Sequence, residues 1–232
     1  MLVIGTSAII RNIKVKNETV KRQLPLHLIT IIVFAIVFLI GNNVSRIDGF
    51  ILLITFLIFL IYIFHFIKKH NSVFEKKEKP RWKIGKSIIF SFIGLFAIFY
   101  GSDLAVDNCS AIAKSIGISE KLITMVILVI GTSTPELILA ITSAKKKEFD
   151  IMLGNIIGTN IFNIGFVLGL PIAIFGGVSS IDFGLIDIVL MILSGAIIYT
   201  FAKDDKLITK KEGLIMLAVF IEYYIYVIIT GI

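Results

Sequence analysis

Six consecutive residues, Gly131-Thr-Ser-Thr-Pro-Glu136, set three hydroxyls, a proline and a carboxylate inside an otherwise apolar run. Pro135 has no amide hydrogen, so a backbone carbonyl near Gly131 loses its helical partner and becomes available to a cation. Thr132 and Ser133 add hydroxyl oxygens. Glu136, about one helical turn further on, adds a carboxylate where an unpaired charge is costly. A second segment, Gly154-Asn-Ile-Ile-Gly-Thr-Asn-Ile-Phe-Asn-Ile-Gly165, repeats polar oxygens at a spacing of four. On a helix, Asn155, Thr159 and Asn163 therefore drift slowly around one face and can line a seam. All these donors are hard oxygens, without a cysteine pair or histidine spacing, which points to Na+, Ca2+ or Mg2+ over zinc or copper. Plainer readings exist: a proline kink that leaves its Glu at the bundle surface, and Asn and Thr side chains that bond across packed helices. One Glu with several neutral oxygens is about half of the six to eight ligands that Ca2+ takes. No covalent chemistry is implied, so the chain is expected not to be an enzyme.

These groups need elements that can hold them in a bilayer. Of 232 residues, 57% are apolar and 17% charged, with a mean hydropathy of +0.98, far from a water-soluble domain. The apolar residues fall into runs that match the roughly 30 Å hydrocarbon core, without the alternation of a barrel strand. Seven spanning helices are predicted, near 24–41, 47–67, 86–106, 121–144, 151–175, 183–202 and 213–230, after an apolar stub, 1–10, too short to span. The stub has no basic leader or small-residue cleavage site. The single cysteine, Cys109, forms no intramolecular disulfide. Gly154 and Gly158, continued by Gly165 and Gly169, are expected to press the 151–175 helix against the 121–144 helix. Lys and Arg number 20 in alternate loops against 3 in the others. The positive-inside rule then makes the basic loops cytoplasmic and puts the C-terminus outside, and the charge marks membrane topology, not nucleic acid.

Shifting the chain by 164 residues lays Gly49, Ile51, Leu53, Phe56, Ile61 and Tyr62 on identical residues at 213–226, and Val3 and Gly5 on Val167 and Gly169. The expected organisation is a remnant of a first repeat at 1–67, a basic linker at 68–84 and a complete five-helix second repeat at 85–232. An odd number of helices gives successive repeats opposite orientations. The same arithmetic places the start of the first repeat about 80 residues before Met1, so its missing helices are expected to be encoded upstream.

The segments GTSTPELILAITSAKKK and GNIIGTNIFNIGFVLGL resemble the second alpha repeat of the sodium/calcium exchanger family, within the cation/Ca2+ antiporter superfamily. YGSDLAVDNCSAIAKSIGIS leads into them as in prokaryotic members, and the likeness extends more weakly along all seven helices. The resemblance implies an all-α polytopic membrane protein: seven helices and a stub of a ten-helix inverted-repeat fold. It further implies Na+/Ca2+ antiport at a midplane site by alternating access, with Ca2+ and Na+ as substrates and no cofactor. By position Glu136 would bind Ca2+ and Na+, Thr132 and Ser133 would offer hydroxyl or carbonyl oxygens, Val129 its backbone carbonyl, and Thr159 and Asn163 would complete the site. Two departures stand out. Asn163 occupies a place where several relatives have Asp, and Gly5-Thr6-Ser7 is followed by Ala8 and Ile9 instead of Pro and Glu. Exchange against H+ or K+ and a truncated non-transporting subunit are the alternatives. Outside the motif, Asp103 and Asp107 read more simply as a hydrated helix end than as an external cation mouth, and Glu222 is left unassigned.

Overall fold

The computed structural model describes residues 1–40, 43–69, 84–117, 129–176, 178–179 and 184–230. The rest of the expected 121–144 helix and of the 68–84 linker lies outside them. Helices α1 (Leu2–Ile10), α2 (Leu24–Ile40), α3 (Arg46–Lys69), α4 (Ile84–Ile116), α5 (Val129–Lys146), α6 (Phe149–Phe162), α7 (Gly169–Phe175), α8 (Leu185–Lys203) and α9 (Lys210–Thr230) follow in order. A π-helical turn, Thr19–Gln23, enters α2, and a second π segment, Asn163–Leu168, joins α6 to α7. The expected 151–175 helix is therefore interrupted at its polar middle.

Two compact units result: residues 1–64 with 133–226, and residues 65–132 with 227–232. The first draws on both of the segments expected as repeats. Among the described residues five helical stretches, Thr19–Leu39, Arg46–His65, Phe149–Phe175, Leu185–Lys203 and Lys210–Ile229, are long and apolar enough to cross a membrane. Helix α5 is 18 residues long but carries the polar motif and two lysines, and α4 is 33 residues long. Ile47, Ile61, Phe64 and Ile229, each more than two-thirds exposed, point outward. Apolar side chains outside and small ones inside are the pattern of a bundle whose solvent is lipid. In the second unit, α4 carries Phe92, Phe96 and Tyr100 on its exposed surface.

Within the first unit, β1 (Ile13–Lys14) pairs antiparallel with β4 (Leu207–Ile208) at one end of α2, and β2 (Asn43–Val44) pairs with β3 (Val178–Ser179) at the other. The first end also holds Lys16 Nζ 2.7 Å from Asp150 Oδ2 and Lys210 N donating to Asn12 Oδ1. Residues 11–18, 147–150 and 204–209 thus share one end, and residues 43–44 and 178–179 share the other.

Several local arrangements occur twice, 164 positions apart. Ser45 caps α3, its backbone N and Oγ both donating to Asp48 Oδ2 at 2.7 Å. Thr209 caps α9 in the same way on Glu212 Oε2, at 2.6 and 2.7 Å. Each is a capping box. A Cβ built on Gly213 would lie 2.8 Å from Gly5 O, and one on Gly169 would lie 3.3 Å from Gly49 O. The two contacts exchange under the same displacement. Where α2 crosses α8, a Cβ on Gly195 would meet Ile31 Cδ1 at 2.8 Å, so these corresponding residues touch each other.

Candidate functional site

Helix α5 runs through Pro135 and keeps its helical path. It ends at Lys147, whose φ of 65° is left-handed. There Lys147 N donates to Ala144 O and Glu148 N to Ser143 O, a Schellman closure that turns the chain directly into α6. Ala140 and Ala144 then share one buried cluster with Met152, Leu153 and Ile157 of α6. Glu136 lies four residues before Ala140, on the same helical row. Its Oε2 is buried and has no hydrogen-bond partner among the described residues. A buried acceptor left unmatched costs about 1–3 kcal/mol, more when charged. A cation satisfies it.

Val129, Thr132 and Ser133 precede Glu136 on α5, and Ser133 is half-buried. On the second arm Asn155 and Thr159 are half-buried, while Met152, Leu153, Ile157 and Ile161 fill the core side. Asn163 is exposed and begins the π segment. Its amide donates to both Asn160 O and Thr159 O. The structure thus places Ser133, Glu136, Asn155 and Thr159 on the two arms of one hairpin, with Asn163 at the far end of the second. A π segment widens the helix and alters the partners of its carbonyls, a feature frequent at functional sites.

The glycine row needs a correction. Gly165 and Gly169 pack against α3, where added Cβ atoms would lie 2.6 Å from Phe56 Cβ and 3.0 Å from Leu52 Cβ. At Gly154 and Gly158 no atom comes within 4 Å among the described residues. The close approach of Gly165 and Gly169 is thus to α3, because they lie beyond the polar seam, where α3 covers the π segment and α7; residues 121–128, part of the expected partner of Gly154 and Gly158, lie outside the described residues. Glu222 is exposed on α9.

One polar group escaped the sequence reading. His27 in α2 is buried at 4% exposure, and Asn160 Nδ2 donates to its Nε2 at 3.3 Å. The available signal was an ionisable residue inside an apolar span. Nearby, a cavity of about 350 Å³ is lined by Phe34, Asp187, Ser194, Phe220 and Tyr223, among others. Asp187 is already satisfied there, accepting from Tyr223 Oη at 2.9 Å and Gly184 N at 3.0 Å.

Fold and site together define an all-helical membrane protein with a buried carboxylate on a hairpin of hydroxyl and amide oxygens. The family model described as sodium/calcium exchanger protein matches residues 1–65 and 86–229. A membrane protein of Methanocaldococcus jannaschii is 33% identical over 221 residues, covering 95% of this chain and 70% of that one. The sodium/calcium exchanger MaX1 of Methanosarcina acetivorans is 33% identical over 116 residues, covering 50% of this chain and 33% of that one. A solved structure of the sodium-calcium exchanger NCX_Mj soaked with Na+ and Ca2+ aligns with a TM-score of 0.68 at 31% identity, covering 98% of this chain and 70% of that one. The chain belongs to the sodium/calcium exchanger family.

Proposed function

We propose that this chain works in Na+/Ca2+ antiport, with Glu136 as the charged ligand of a cation site completed by Thr132, Ser133, Asn155, Thr159, Asn163 and the carbonyl of Val129. The buried, unmatched Oε2 of Glu136 carries the reading. A dehydrated cation needs such an oxygen, and the oxygen needs a cation. Family membership and the likeness to an exchanger soaked with Na+ and Ca2+ support it. The two-fold arrangement of caps, strand pairs and glycine contacts supports an inverted repeat, in which a fixed site is exposed alternately to the two sides. The chain spans the membrane seven times in this reading, with the end that holds β1 and β4 in the cytoplasm and the C-terminus outside. One carboxylate leaves Ca2+ half neutralised, so the proposed site calls for a second negative ligand.

Equilibrium binding of radioactive calcium to the purified chain tests the reading. Na+ displaces Ca2+ if both use this site; binding indifferent to Na+ overturns it. Displacement by K+ or by acid, with Na+ inert, favours the K+- or H+-coupled alternative.

A further inference from the structure

His27 sits in the first turn of α2, where a leucine would fill the same space without a polar edge. It is 4% exposed, and its Nδ1 is buried with no hydrogen-bond partner among the described residues. The ring thus retains one unsatisfied nitrogen in a place that disfavours it. What it gains is made by the other nitrogen: Asn160 Nδ2 donates to Nε2 at 3.3 Å, an arrangement that leaves the ring proton on Nδ1. This bond joins α2 to α6, and the residue it holds is not an arbitrary one. Asn160 follows Thr159 directly, and the carbonyls of both accept the amide of Asn163 at the passage from α6 into the π segment. Rotation of the helix by one residue turns a side chain through 100°, so fixing Asn160 fixes where Thr159 and Asn163 point.

We propose that His27 is a positioning residue for the cation site: by holding Asn160 it sets the junction of α6 with the π segment, and hence the orientation of Thr159 and Asn163, without touching the cation. The inference rests on the site reading given above. Groups that orient ligands from behind change metal affinity by roughly ten- to a hundredfold when removed.

The test uses the full chain in detergent, with radioactive calcium binding and thermal melting measured on each variant. His27→Leu fills the space but removes the hold, and Asn160→Ala removes it from the other side. Each is expected to weaken Ca2+ binding by about tenfold, and the double variant no further, because one bond is lost in all three. His27→Gln places an amide near the Nε2 position and should restore affinity to within about twofold of the unaltered chain. Nitrogen NMR of the labelled imidazole should show Nε2 unprotonated, with a signal that moves in Asn160→Ala. A purely structural role shifts melting alone, so unchanged affinity in His27→Leu overturns the proposal, as do additive losses in the double variant or a protonated Nε2. Glu136→Gln separates the two readings. If it retains Ca2+ binding, or if the unaltered chain binds no Ca2+, the site reading falls and this inference with it. If it abolishes binding while the His27 variants behave normally, only the inference falls.

Discussion

A carboxylate oxygen buried without a proton donor disfavours the empty protein and favours whatever neutralises it. For Glu136 this gives two predictions of opposite sign. Glu136→Gln should weaken Ca2+ binding by about a hundredfold or more, the scale of an uncompensated buried charge, whereas Thr159→Ala removes one neutral oxygen worth about 1 kcal/mol. Without Ca2+, Glu136→Gln should melt higher than the unaltered chain, because it replaces a carboxylate with a neutral amide that costs less to bury, and added Ca2+ should no longer raise its melting temperature. Retained Ca2+-dependent stabilisation in this variant would contradict the assignment. Glu136 was legible because proline, hydroxyls and carboxylate crowd into six residues. His27 was not, since it stands between Leu26 and Leu28 in no recognisable motif, and its partner is 133 residues away.

At the level of elements, spacing in the sequence separated the spanning helices but not what presses them together. The glycines at 154, 158, 165 and 169 read as one packing row, yet only the last two meet another helix among the described residues. A π segment lies between Gly158 and Gly169 and breaks the periodicity on which the reading rested. Gly49→Ala should destabilise the fold, since its Cβ would collide with the backbone of Ala173; overpacking of this kind costs about 1–3 kcal/mol. Gly158→Ala meets no atom within 4 Å among the described residues and gains helix propensity of up to about 1 kcal/mol. Thermal melting of the two variants should therefore move in opposite directions, and equal losses would count against the packing described. Ser45-x-x-Asp48 and Thr209-x-x-Glu212 both set a hydroxyl residue three positions ahead of a carboxylate, the spacing that a capping box needs. Their recurrence at 164 extends the match of the apolar residues that follow them.

For the whole molecule, the β1–β4 pair and the Lys16–Asp150 ion pair bring the basic segments at 11–18, 147–150 and 204–209 to one end. If that end is cytoplasmic, a cysteine introduced at Asp205, in a chain with Cys109→Ser, should react with an impermeant thiol reagent only from the inside, and one introduced at Ser179 only from the outside; the reverse pattern would invert the orientation. Reconstituted in liposomes, the 232 residues alone should show no Na+-driven Ca2+ uptake, because their proposed site offers one carboxylate to two positive charges. Uptake under an imposed Na+ gradient would show that neutral oxygens suffice. The crossing of α2 and α8 has its own implication. Ile31 and Gly195 stand 164 positions apart and touch, so under an inverted repeat this contact lies close to its own counterpart. If the corresponding segments trade conformations, the Gly5–Gly213 contact takes on the geometry of Gly169–Gly49 and the reverse, while the point between Ile31 and Gly195 is carried onto itself. It is the fulcrum of the exchange, and a covalent tether there would load neither arm of the balance.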